Sequence, residues 1–204
     1  DRIGARLVRT VERQDVTYRF TIIDAPENVN AFALPGGHMY LYTGLLKLAS
    51  SEAELASVMA HELAHVSSQH HGESLTRQYG YELIARALLG EGSGAAANLA
   101  AQFMGASGQM YYSRNAEREA DAKGMDYLFR AGYRPEAMVT FMEKLARRNE
   151  ARPRGFFYTM LSSHPATDER VATLVQLVQR YPFAQRRANE TYPQRYRAEV
   201  LSKL

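Results

Sequence analysis

The stretch His61-Glu62-Leu63-Ala64-His65 sets two imidazoles four residues apart, with a carboxylate beside the first. On a helix of 3.6 residues per turn, positions i and i+4 lie about 40° apart, so both imidazoles leave one face and their nitrogens converge on a single ion. Glu62 is rotated about 100° from His61, which keeps it off that position and lets it reach a water on the ion's open side. This is the HExxH spacing of zinc-dependent peptide hydrolysis, with the glutamate as general base. It is embedded in an apolar run, where charge and imidazole are costly unless used.

A catalytic zinc takes three protein ligands and leaves a fourth place for water. The chain has no cysteine, so the third ligand must be His, Asp or Glu. His71 follows His65 at the spacing of the elongated HExxHxxGxxH pattern, but Ser68 stands where that pattern needs its glycine bend. On an unbroken helix His71 points away, and His70 and His71 read as two cations near a helix C-terminus. The segment SRNAEREADAKG offers a better answer, because Glu117 and Asp121 are i, i+4 on one helix face while Glu119 faces elsewhere. Glu117 is the expected ligand, with Asp121 receiving the free N–H of a ligating histidine.

The elements that must hold these residues are mostly helical. An amphipathic helix is expected over residues 1–14 and a strand over 17–24. Two short strands near 30–34 and 38–42 are joined at Pro35-Gly36-Gly37, which together predicts a small antiparallel sheet. Ser51 with Glu54 forms a capping box ahead of the HExxH helix. Further helices are expected over 73–90, 110–131, from Pro135 onward, and over 167–180, with a Gly/Ser/Ala-rich segment at 91–109. The fold class is α+β, mostly α, in a single domain over 1–204. The stretch 72–110 is a candidate lid or plug, and 183–204 is a basic, weakly patterned C-terminal extension.

Composition narrows the partners. At 204 residues and 46% hydrophobic, the chain suits one packed domain. A net charge of +3 argues against nucleic acid. The longest uncharged run, 92–113, carries four glycines and three amide side chains, too polar for a membrane span. The opening DRIGARLVRT has no leader pattern and reads as a mature or trimmed domain.

Four motifs in order, NAFALPGGHMYLYTGLL, HELAHV, SRNAEREADAKG and SSHPATDERV, run from about residue 29 to 180, a span that takes in most of the chain. They resemble the gluzincin zinc metallopeptidase family that contains the CAAX prenyl proteases, HtpX and the soluble BepA- and LoiP-like peptidases of the bacterial envelope, and most of all the soluble members. The resemblance implies a zincin-like fold with one Zn2+ per chain on His61, His65 and Glu117, Glu62 as general base and Asp121 supporting the histidines. It further implies that His164 stabilises the transition state. Arg170 falls on an arginine common after that His-Pro pair, as a partner for an acidic group. Residues Asn30, Ala31, Phe32 and Ala33 correspond to an edge strand beside the active-site helix, which binds an extended peptide as an added strand. The implied function is an endopeptidase for misfolded or unfolded polypeptides in the periplasm or cell envelope, attached peripherally if at all. The alternative is a zinc-dependent chaperone that holds such chains uncut, although a pure binder has no need of a base at Glu62.

Overall fold

The computed structural model describes residues 1–74, 112–150, 164, 165 and 167–204. The expected helix over 73–90 beyond residue 74, the segment 91–109 and nearly all of the candidate lid lie outside the described residues. In chain order the elements are α1 (Arg2–Val8), β1 (Arg19–Ile23), β2 (Ala31–Ala33), β3 (His38–Tyr42), α2 (Thr43–Leu48), α3 (Glu52–Ser67), α4 (Arg114–Arg130), α5 (Glu136–Glu150), α6 (Asp168–Val178), α7 (Phe183–Ala188) and α8 (Pro193–Glu199), closed by a 3-10 turn at Leu201–Lys203. No described helix is long and apolar enough to cross a membrane.

Helix α3 is the axis of the molecule. Every residue from Glu52 to Val66 is buried, so this is a helix covered all round. It packs against α4, α5, α1 and β2. Gly124 of α4 allows the closest approach: a Cβ there would sit 3.0 Å from the Cα of His61. The start of α3 is capped as expected, Ser51 Oγ accepting from the Glu54 N–H at 3.2 Å. The Glu54 carboxylate accepts from the Ser50 N–H at 2.7 Å, one residue earlier than a reciprocal capping box requires.

The sheet is mixed, not antiparallel. Its order is β1-β3-β2, with β2 antiparallel to β3 and β1 parallel to it in the register Arg19↔His38 to Ile23↔Tyr42. The hairpin half was legible, since Gly36 and Gly37 take φ of 95° and 89° and close a turn that residues with side chains rarely adopt. The link over 24–30 instead carries the chain past β3, so β2 forms on the far side and β1 runs with its neighbour. The first helix is also shorter than its pattern, because the Thr10 hydroxyl donates to Leu7 O at 2.7 Å in a closing turn.

The C-terminal residues are folded onto this core. Glu52, 1% exposed, accepts hydrogen bonds from Arg2 of α1 and from Arg195 of α8, the Arg195 Nε bond being 2.8 Å. Tyr196 is buried, and its hydroxyl donates to Leu46 O at 2.7 Å. Periodicity missed α7 and α8 because both are short and their arginines are held by residues of distant elements, Arg186 by Glu136 and Arg195 by Glu52. Burial opposes a charge on Glu52, but the bonds from Arg195 and Arg2 outweigh it and hold the carboxyl below its usual value of 4.5. That stabilisation is fully present above the unfolded value and is lost as pH falls through the lower folded one. Glu52→Gln is therefore expected to cost about 2 kcal/mol, roughly 4–8 °C in Tm, at neutral pH, with the gap to wild type narrowing in melts below about pH 4.5.

Candidate metal centre

Helix α3 presents His61, Glu62 and His65, and α4 presents Glu117 and Asp121 across the Gly124 contact. The α4 start is set by Ser113, whose hydroxyl accepts from the Ala116 N–H at 3.1 Å. His164 enters from the segment before α6. His61 Nε2 and His65 Nε2 are 3.1 Å apart, and Glu117 carboxylate oxygens lie 3.5 and 3.4 Å from them. His164 Nδ1 is 3.2 Å from His61 Nε2 and 2.8 Å from Glu117 Oε1. One ligand atom from each of these four buried residues falls within 4.8 Å of the others.

These spacings fit a small cation. Bonds of about 2.0–2.1 Å in a tetrahedral site separate ligand atoms by about 3.3 Å. Glu117 Oε2 is buried and accepts no hydrogen bond among the described residues, although Arg170 Nη1 lies 2.8 Å away as an ion-pair partner. Burial opposes charge on His61, yet bonds to Asp121 and Glu117 raise its pKa to about 10, so the site strongly favours positive charge. His65 is different: burial, with His61 and His164 nearby, keeps it neutral against the pull of Glu117. A neutral imidazole is what coordination requires.

Around this cluster the second carboxylate is tied down. Asp121 Oδ1 lies 3.1 Å from His61 Nδ1, so Nδ1–H donates there and Nε2 faces the cluster as the nitrogen that a cation would deprotonate and bind. Arg170 pairs with acidic groups, as its place after the His-Pro pair suggests. Its Nε and Nη2 donate to the two Asp121 oxygens at 2.9 and 2.7 Å, while Nη1 donates to Pro165 O at 3.0 Å. One guanidinium thus bridges two buried carboxylates and anchors the His164 segment. Glu119 is exposed and pairs with Lys123 at 2.8 Å, as its position on α4 requires.

Glu62 sits on the rim of the cluster. Its Oε2 accepts from the Ala33 N–H at 3.2 Å, and Oε1 has no hydrogen-bond partner among the described residues, with His164 Nε2 3.4 Å away. Burial pushes this carboxyl above its usual value against the opposing fields of His164 and His61. A cation in the cluster acts in the same sense as those two imidazoles.

Two expectations change. His70 and His71 are not solvated cations: both are buried, because Gln69 takes a left-handed φ of 57° and turns the chain back on α3. His71 Nε2–H donates to Ala33 O at 2.9 Å, and burial holds its pKa at about 4. Of the four residues assigned to the edge, Asn30 hydrogen-bonds β3 at Tyr42, as the following Leu34 does at His38. By the alternation of an antiparallel pair, Phe32 also faces β3, leaving Ala31 and Ala33 with backbone groups on the open side. At Ala33 both groups are engaged, by Glu62 and His71. Tyr112, which no sequence signal marked, stacks on His65 with ring centroids 3.9 Å apart and on His164 at 5.2 Å.

Two imidazoles and a carboxylate on paired helices, with a second carboxylate beside them, are the scaffold and donor set of a metallopeptidase. The family pattern of Peptidase family M48 matches residues 1–178, and the chain belongs to that family. It is 35% identical over 193 residues to a putative beta-barrel assembly-enhancing protease of Vibrio cholerae, which covers 89% of this chain and 39% of that protein. Identity is 32% over 204 residues to the beta-barrel assembly-enhancing protease of Escherichia coli K12, covering 94% and 38%. With metalloprotease LoiP of Escherichia coli K12 it is 29% over 172 residues, covering 82% and 65%. The chain spans about two-fifths of the length of the first two relatives.

Removing Arg170 leaves two buried carboxylates without their cation. Arg170→Ala is expected to lose about 3–5 kcal/mol in denaturant unfolding. Arg170→Lys should recover only part, because an ammonium cannot reproduce the two-pronged bond to Asp121.

Proposed function

We propose that this chain is the catalytic domain of a zinc endopeptidase that cuts extended, unfolded polypeptides in the bacterial envelope. The observation that carries the reading is the convergence of His61, His65 and Glu117 donor atoms beside Glu62 Oε1, which has no hydrogen-bond partner among the described residues. Two histidines and a glutamate are a donor set that zinc takes in catalytic sites. When bound, zinc supplies a Lewis acid that polarises the scissile carbonyl and makes water acidic enough to attack near neutral pH.

The remaining chemistry belongs to the side chains. Glu62 accepts the proton of the attacking water and hands it to the leaving amine. Asp121 and Arg170 hold His61 in the tautomer that presents Nε2. His164 Nδ1 lies among the donors and its Nε2 is 3.4 Å from Glu62 Oε1. A catalytic site keeps one position open, and with that position left to water the His164 N–H donates to the oxyanion as charge develops, a contact worth roughly 3–4 kcal/mol in other proteases. The peptide is aligned as an added strand along Ala31 and Ala33, its backbone replacing the Glu62 and His71 contacts at Ala33. Recognition through backbone groups suits unfolded chains of varied sequence. The envelope assignment rests on two relatives named for β-barrel assembly, since bacterial β-barrels reside in the outer membrane.

Cleavage of casein with and without a chelator, read beside zinc content, tests the proposal. Wild type should carry one Zn2+ per chain and lose activity on chelation. Glu62→Gln should keep the metal and lose a factor of about 10²–10⁴ or more in rate. Full activity in Glu62→Gln refutes the assigned base, and wild type that holds unfolded casein uncut favours a binding module instead.

A further inference from the structure

We propose that His70, held by Glu119, is the positioning residue for His65, as Asp121 and Arg170 are for His61. This rests on the reading of His61, His65 and Glu117 as metal ligands. His65 directs Nε2 into the donor cluster, so that nitrogen must carry the lone pair and the ring proton belongs on Nδ1. The acceptor presented to it is His70 Nδ1, 3.0 Å away, with both rings buried. Accepting there obliges His70 to carry its own proton on Nε2, which lies 3.4 Å from Glu119 Oε2. Glu119 is exposed but steadied, its Oε1 lying 2.9 Å from the Ser68 hydroxyl and 2.8 Å from Lys123 Nζ.

The chain Glu119, His70, His65 thus has one consistent arrangement of protons, and it ends with a lone pair aimed at the cluster. A straight helix would not build it, since five residues turn about 140° and would leave His70 well round from His65. The left-handed turn at Gln69 brings it back. Such a conformation is unfavourable for a residue with a side chain and persists where the surroundings impose it. A histidine in place of the usual carboxylate or carbonyl supplies an acceptor without adding a further carboxylate to a pocket that already buries Glu62, Glu117 and Asp121.

The test compares zinc affinity by chelator competition, and the visible spectrum of the cobalt(II) form, in wild type, His70→Ala, His70→Asn and Glu119→Ala. Folding of each metal-free variant is checked by circular dichroism. His70→Ala is expected to weaken zinc by about 10–100-fold and to shift the cobalt spectrum. His70→Asn should restore most of the affinity, because its amide oxygen takes the place of Nδ1, and Glu119→Ala should weaken binding a few-fold. Unchanged affinity and spectrum in His70→Ala overturn the proposal, as does a His70→Asn variant that folds but is equally impaired. If His70→Ala does not fold, Glu119→Ala, altered at an exposed position, decides: wild-type affinity there refutes the relay. Wild type that binds neither metal refutes the parent reading of the cluster, a result distinct from any of these.

Discussion

The guanidinium of Arg170 spans Glu117 and Asp121, and the centre depends on that pairing. Two carboxylates buried side by side repel each other and lose hydration, so without a fixed cation at least one would protonate or move to water. With Arg170 in place both remain charged, one turned to the donor cluster and the other to His61 Nδ1. The same side chain donates to Pro165 O, which couples the charge balance of α4 to the position of His164.

This arrangement requires α3 and α4 to lie unusually close. Gly124 removes the side chain that would meet the His61 backbone, and Ala60 and Ala64 keep the α3 surface low nearby. A helix buried on every side has no solvent face to fix its rotation, so neighbours must do it. Glu52 serves at the N-terminal end, joined to Arg2 and Arg195 from the two ends of the chain. At the C-terminal end the left-handed turn at Gln69 folds His70 onto His65 and His71 onto Ala33. The donor residues are therefore held from both ends of one helix. The edge strand meets the same apparatus, because Ala33 exchanges hydrogen bonds with Glu62 and His71, tying strand position to the Glu62 carboxylate.

Much of the centre was legible because it lies within single helices. A period of 3.6 residues places His61 with His65 and Glu117 with Asp121 whatever surrounds them, and Ser51 and the Pro35-Gly36-Gly37 turn mark their own boundaries. Local chemistry determined those features, along with the exclusion of thiolate ligands. Tertiary structure decided the rest. It set β1 parallel to β3, buried His70 and His71, placed His164 Nδ1 among the donors, and turned Arg170 onto two carboxylates some fifty residues earlier. The physical reason is that periodicity reports where a residue sits on its own element, whereas burial, tautomer and charge depend on which groups other elements bring across the gap.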